Sequence, residues 1–169
     1  MPNNGLLESL LELLTGEVPP AVRVHLAVGE PKMVELILAG KKTIETRFSE
    51  TRQPPFGSVE AGDIIILKES GGPIVGIARA ARATFYSHLD GGQVRALRAE
   101  FNDLVQADDE FWARKSEARY ATFIYLGEVT KVEPCHICKR DRRAWVVYQT
   151  EGADDPVASE EAVLGFRVR

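Results

Sequence analysis

The segment best able to do chemistry is a run of eight mostly polar residues, 40–47, with the sequence GKKTIETR. If residues 43–47 are extended, Glu45 and Arg47 lie on one face of a strand, together with Thr43. The long side chain of Lys42 can reach the same cleft from the junction before that strand. A cation, an anion and a second cation would then lie close together. Such a cluster can clamp a phosphate or the polar edge of a base, with Glu45 holding the two cations in position.

The same three charges are also compatible with a structural role and with a catalytic one. A salt-bridge network that only fixes a helix to a strand needs the same residue types, and such networks are common. A catalytic version of the cleft would use Glu45 as a general base on water and Lys42 to stabilise an oxyanion. The residue types alone leave these alternatives open.

Two further residues are candidate neighbours of this cleft: Lys68, at the end of one predicted strand, and Tyr120, just ahead of another. Tyr120 follows a basic residue, and an exposed aromatic ring in that setting can stack on unpaired bases. Phe111 and Trp112 also precede a basic residue, but Trp112 is better interpreted as a cap on the hydrophobic core. Trp145 stands in an apolar run and is predicted to be a core residue.

Metal and redox chemistry receive little support from the sequence. Cys135 and Cys138 enclose His136 in a C-x-x-C segment, but a structural zinc site needs four ligands and no second such pair is present. We therefore expect no metal and no cofactor. Residues 131–143 carry a local net charge of +3 and are predicted to form a loop between two strands. Such a loop either follows a phosphate backbone or keeps a sheet edge soluble.

Composition and charge define the class of protein. The 169 residues are 44% hydrophobic and 27% charged, which excludes collagen-like, wholly disordered and disulfide-scaffold proteins. Two cysteines, no membrane-length apolar run and no leader-like N-terminus predict a cytoplasmic protein with no membrane partner. The net charge of −4 first argues against nucleic acid. However, segments 100–110 and 151–161 hold ten acids and no base, so the rest carries +6 and is compatible with a basic face.

Hydrophobic periodicity, with glycine and proline punctuation, predicts the elements that position these residues. A helix at 6–14 followed by a proline-rich turn divides the chain into an N-terminal segment, 1–20, and a domain, 21–169. The domain has about seven predicted strands, at residues 22–28, 43–48, 63–68, 74–85, 121–132 (bent at Gly127), 144–149 and 163–168. Helices are predicted from Pro31 to Gly40, near 110–118, and on a face formed by Val94, Leu97, Phe101 and Leu104. This mixture predicts an α+β fold with a mixed barrel of about five to seven strands.

Residues 40–47 have the form G-x-K-x-x-E-x-R. An apolar helix precedes them, a variable loop follows, and a G-D-x-I-x-I-type strand lies at 62–67. This arrangement resembles the signature of the ASCH family over residues 22–150. The resemblance implies a β-barrel related to the PUA RNA-binding domain, and it favours a ligand cleft over a purely structural network.

The same resemblance implies three classes of activity. Some ASCH proteins are RNA-binding modules, some resemble ribonucleases, and a small bacterial group hydrolyses the acetyl amide of N4-acetylcytidine. That group uses the motif lysine and a threonine nucleophile, whereas this chain keeps Lys42 but has Glu45 at the threonine position. We therefore expect a nucleic-acid-binding module for RNA, single-stranded or structured, or for a nucleoside. Its predicted site is Lys42, Glu45 and Arg47, with Lys68 and Tyr120. The alternative is a hydrolase of RNA or of a modified nucleoside, with Lys42 and Glu45 catalytic.

Overall fold

The computed structural model describes residues 23–137 and 142–148. The predicted N-terminal helix, the boundary near residue 20 and the predicted strand at 163–168 lie outside the described residues, as does Cys138. The described residues form a six-stranded sheet and three helices.

The elements alternate along the chain in the mixed way that the sequence predicts. In order they are β1 (Val24–Gly29), α1 (Pro31–Leu38), β2 (Ile44–Ser49), β3 (Ile64–Glu69), β4 (Ile74–Tyr86), α2 (Gly91–Val105), α3 (Asp109–Arg114), β5 (Tyr120–Cys135) and β6 (Trp145–Tyr148). The sheet order is β2-β5-β4-β3-β1-β6, and the sheet curls into a half-barrel. Only β1 and β3 are parallel among the described neighbours; the other pairs are antiparallel. The α+β class and the barrel-like sheet are confirmed.

The middle of the sheet is formed by branched apolar residues. In β3 the five residues from Ile64 to Lys68 are all buried, because β1 and β4 flank the strand and both of its faces are covered. β4 and β5 form a long hairpin whose register shifts on both sides of the Arg79–Gly127 pair. Such irregularities bend a strand, and this one lies where the sequence predicts the bend in β5.

The first two helices have clear local start signals. α1 begins at Pro31, whose fixed φ suits the first helical position, and is followed by Gly40 at a φ of +75°. α2 begins at Asp90, whose carboxylate accepts from the backbone N–H of Gln93 while the Gln93 side chain accepts from the backbone N–H of Asp90. No helix among the described residues is long and apolar enough to cross a bilayer.

Two sequence predictions are wrong in detail. Leu104 is 43% exposed, whereas Val105 is fully buried, because the buried face of α2 steps four residues from Phe101 to Val105 at its end. Residues 131–135 are not part of a loop but continue β5, where Lys131 pairs with Gly76. The partner strand is β4, whose length the sequence predicts almost correctly, so the error lies in where β5 was predicted to end.

Candidate functional site

A cavity of about 500 Å³ collects the three charges that the sequence predicts. Its lining comes from the end of β1, the start of α1, β2 and the loop after it, α3 and the start of β6. Lys42, Glu45 and Arg47 all line this cavity. Its size falls within the range of small-molecule and cofactor sites.

Lys42 is held inside the protein rather than extended into the cavity. Its side chain is 2% exposed, and Nζ donates to the carbonyl oxygens of Ile44 and Val105, each at 2.8 Å. Val105 is the last residue of α2, and the backbone N–H of Thr43 donates to the neighbouring carbonyl of Leu104 at 2.9 Å. Residues 42 and 43 therefore cap the C-terminus of α2, where unpaired carbonyls and the helix dipole favour a cation.

The charge of Lys42 is costly in this position. Burial lowers the pKa of Lys42, the Glu45 carboxylate opposes that effect, and Arg47 adds to it. Nζ lies 3.7 Å from Glu45 Oε2, so the carboxylate is the nearest compensating charge described. Lys42 thus contacts both the C-terminus of α2 and the Glu45 carboxylate of the cavity.

Glu45 and Arg47 form the polar wall of the cavity. Arg47 Nε donates to Glu45 Oε1 at 2.9 Å, and its two Nη atoms donate to the carbonyl oxygens of Ala144 and Val28. Three of the five guanidinium N–H groups are thereby used. Glu45 accepts from Arg47 with one oxygen and faces Lys42 with the other. The arrangement combines an ion-pair network with a ligand-sized cavity, so it is compatible with both the structural role and the ligand cleft that the sequence left open.

A buried chain of hydrogen bonds supports the wall from behind. The Arg47 Cζ atom lies 5.1 Å from the Trp145 ring centroid, within cation–π range. Trp145 Nε1 donates to His25 Nδ1 at 3.1 Å, so the imidazole proton is on Nε2, which donates to Asp63 Oδ2 at 2.8 Å. His25 and Trp145 are 0% and 4% exposed. These hydrogen bonds fix the indole of Trp145 at the cavity wall.

Sequence reasoning missed this support. It identified Trp145 only as a core residue. The signal in the sequence was a polar histidine inside an apolar strand and an aspartate after Gly62 at the start of the neighbouring one. Parallel pairing of β1 with β3 brings the two together.

Asp63 is expected to make the stability of the protein depend on acid pH. Burial alone would raise the pKa of Asp63, but hydrogen bonds from His25 and from the backbone of Glu60 and Arg23 outweigh burial and lower it. The unfolded chain then binds more protons than the folded one below the unfolded value of about 3.9. The stabilisation is complete above that pH and is lost as pH falls through the folded pKa.

Asp63→Asn is therefore expected to cost about 1–2 kcal/mol near pH 7, because an amide donor replaces a carboxylate acceptor. Urea unfolding between pH 3 and pH 7 should show a flatter acid limb than the wild type. Asp103→Asn, an exposed change on α2, is the control. An acid limb as steep in Asp63→Asn as in the wild type would contradict this assignment.

The two predicted neighbours lie outside the cavity lining. Lys68 is 8% exposed on β3, and its Nζ donates to the Glu69 carbonyl at 3.0 Å. Tyr120 starts β5, and its ring centroid lies 5.2 Å from that of Phe56, which does line the cavity. Arg52 Cζ lies 5.6 Å from the Tyr120 ring. Tyr120 is thus adjacent to the cavity through Phe56, and Lys68 lines no part of it.

The remaining aromatic and cysteine residues take structural positions. Trp112 is 4% exposed, as predicted for a core residue, and its Nε1 donates to Asn102 Oδ1 at 2.8 Å. Cys135 is a free thiol. Within residues 23–137 and 142–148, no three histidine, cysteine, aspartate or glutamate side chains are grouped to hold a metal ion.

Comparison with solved structures identifies the fold. The crystal structure of ASCH from Zymomonas mobilis matches with a TM-score of 0.53 and 17% sequence identity, covering 66% of this chain and 71% of that chain. Two single-residue mutants of the same protein match with TM-scores of 0.53 and 0.52, at 18% and 17% identity. They cover 66% and 69% of this chain and 73% and 75% of theirs.

The chain has an ASCH-domain fold. At the level of the fold, this confirms the resemblance to the ASCH family and the α+β barrel-like sheet that it implies. No family model matches the sequence, and no curated protein matches it. The ASCH fold is therefore established by three-dimensional similarity, at an identity that shows the fold alone.

Proposed function

We propose that this ASCH domain is a nucleic-acid-binding module that holds an unpaired nucleotide of RNA in the cavity. The observation that carries the proposal is the cavity lining, which contains six cationic and three acidic residues while the chain as a whole has a net charge of −4. The cationic residues are Lys32, Lys42, Arg47, Arg114, Lys115 and Arg143. A local excess of positive charge on an acidic protein favours an anionic ligand at this position.

Aromatic and acceptor groups support a base in the same cavity. Phe48, Phe56, Phe111 and Trp145 contribute apolar surface to the lining, and unpaired RNA bases are recognised by stacking and by their polar edges. Glu45 is an acceptor held by two cations, so it can receive an N–H of a base without moving. A carboxylate in this role accepts from an exocyclic amine such as that of cytosine.

The motif residues divide their roles in this proposal. Lys42 is a positioning residue, because its ammonium already contacts the carbonyls of Ile44 and Val105 and the carboxylate of Glu45. Arg47 keeps two N–H groups for a ligand. Tyr120, beside Phe56 and Arg52, extends the aromatic surface beyond the cavity and is proposed to stack on a neighbouring base. Lys68 takes no part in the cavity and remains a sequence-based proposal only.

The proposal is tested by fluorescence anisotropy with a labelled mixed-sequence RNA of twelve nucleotides, over a range of salt concentrations. Arg47→Ala is expected to weaken binding about tenfold, the size of a lost polar base contact. Arg79→Ala is the matched control, because Arg79 also pairs with a glutamate on a strand but does not line the cavity. Equal affinity in both variants would contradict the assigned site, provided that urea unfolding shows both to be folded.

A hydrolase is the second candidate, favoured by one observation. Lys42 and Glu45 lie 3.7 Å apart and both line the cavity, so the two residues that this alternative makes oxyanion partner and general base occur together there. Product analysis over a panel of acylated nucleosides and RNAs tests it, with Glu45→Gln as the inactive variant. Turnover by the wild type that Glu45→Gln abolishes would support it. No product from any substrate would exclude it for this panel.

Two wider expectations also remain proposals. We propose the division into an N-terminal segment, 1–20, and a domain, 21–169, because of the proline-rich turn at 19–20. We propose a cytoplasmic location because the chain has only two cysteines, of which Cys135 is a free thiol.

A further inference from the structure

A second group of cations faces the cavity without taking part in the Lys42–Glu45–Arg47 network. Lys32 comes from the first turn of α1, Arg114 ends α3, and Lys115 follows it. Arg114 makes an exposed pair with Glu110 at 3.7 Å. Neither Lys32 nor Lys115 has a carboxylate within ion-pair distance among the residues that the structure describes.

Lys115 is the central member of this group. It is partly buried, and its Nζ lies 4.9 Å from the ring centroid of Phe111, over the aromatic face. Burial lowers the pKa of Lys115, with Arg114 and Arg47 adding to the effect and Glu30 and Glu45 opposing it. Its positive charge is therefore incompletely compensated by the protein. An anion beside it would supply the missing interaction.

The chemistry of the group favours an oxyanion with several oxygens. Ammonium groups act as point charges toward phosphate, and a guanidinium offers parallel N–H donors to two phosphate oxygens. Lys32, Arg114 and Lys115 all line the cavity, the first from α1 and the other two from the end of α3. Glu45 provides the hydrogen-bond acceptor of the same cavity. The cavity therefore has a cationic part and an acceptor part.

We propose that Lys115, with Lys32 and Arg114, forms a phosphate subsite of this cavity. The subsite takes the phosphate of the nucleotide whose base meets Glu45, so the inference rests on the proposed function and adds an orientation to it. The phosphate comes either from an RNA phosphodiester or from a free phosphomonoester. In this proposal Lys42, one member of the cluster that the sequence suggested as a phosphate clamp, is not part of the phosphate subsite.

The first test compares Lys115→Gln with Lys41→Gln in the RNA anisotropy titration. Lys41 is exposed, occupies a variable position of the 40–47 motif and lies outside the cavity lining, so it controls for the loss of one positive charge. Lys115→Gln is expected to weaken binding about 3- to 10-fold at low salt and to reduce the log–log salt slope by about 0.7, the value for one phosphate contact on a single strand. Lys41→Gln should leave both unchanged. Wild-type affinity and slope in Lys115→Gln would overturn the subsite while leaving RNA binding intact.

The second test uses inorganic phosphate and separates this inference from the proposed function. The wild type is acetylated on its amines in phosphate and, separately, in chloride at equal ionic strength. Mass spectrometry then compares the extent of Lys115 acetylation in the two salts. Protection of Lys115 but not Lys41 is expected. If the wild type binds no RNA but phosphate protects Lys115, the RNA function fails and a phosphomonoester subsite stands. If phosphate does not protect Lys115 and RNA binding is absent, both are wrong.

Discussion

Replacing Lys42 by methionine is expected to destabilise the protein by about 3–5 kcal/mol, the cost of breaking a buried charged pair by removing one partner. Methionine keeps the unbranched stem, so the change removes the ammonium with little change in volume. The carbonyls of Ile44 and Val105 lose a donor at 2.8 Å each, and Glu45 loses one of its two cations. The C-terminus of α2 also loses the cation that caps it.

Urea unfolding measures this effect, with Lys41→Met as the control. Lys41 is exposed and has no such partners, so its replacement should change the free energy of unfolding by less than about 0.5 kcal/mol. A Lys42→Met midpoint equal to that of the wild type would show that the lysine is not structural. The expected loss of RNA affinity in this variant would reflect its effect on the wall of the cavity, not a lost contact with RNA.

Glu45→Ala is expected to cost about 3 kcal/mol, because it leaves Lys42 and Arg47 without their shared anion in a largely buried site. Glu45→Gln should cost less, since the amide oxygen can still accept from Arg47 Nε. The matched control is Glu128→Ala, which removes the partner of Arg79. That pair spans 3.5 Å, but the Glu128 side chain is 59% exposed, and exposed pairs contribute less than about 1 kcal/mol.

The two glutamate variants are compared by urea unfolding at low and high salt. The cost of Glu45→Ala should persist at high salt because the site is poorly screened, whereas any cost of Glu128→Ala should vanish. Equal costs for the two variants would place Glu45 among ordinary surface charges. That result would contradict the claim that Lys42 and Arg47 hold Glu45 in place for the proposed base contact.

Much of the fold could be predicted because its signals are local. Alternation in residues 22–28 and the apolar run at 63–68 predict β1 and β3, and Gly40 predicts the end of α1. Leu104 was misplaced because an i+3 and an i+4 step are both compatible with helical periodicity. The sheet extension at 131–135 depends on the length of β4, which the local pattern of β5 does not encode.

The membership of the site was partly predictable, but the roles within it were not. Residues 45 and 47 share a strand face, so local spacing correctly groups Glu45 with Arg47. One partner of Lys42 is the carbonyl of Val105, 63 residues away, and only tertiary folding brings α2 to it. Lys115 lines the cavity because α3 ends at Arg114, one residue before it. The end of a helix is the feature that sequence patterns place least reliably.

The most direct test of the central claim is NMR mapping of the RNA-binding surface. The ¹⁵N-labelled protein is titrated with an unlabelled twelve-nucleotide single-stranded RNA, and amide chemical-shift changes are assigned to residues. We expect the largest changes to fall on cavity-lining amides, among them those of Glu45, Arg47 and Lys115. Saturable changes that lie only on other surfaces, or no changes at millimolar RNA, would contradict the claim that this cavity binds RNA.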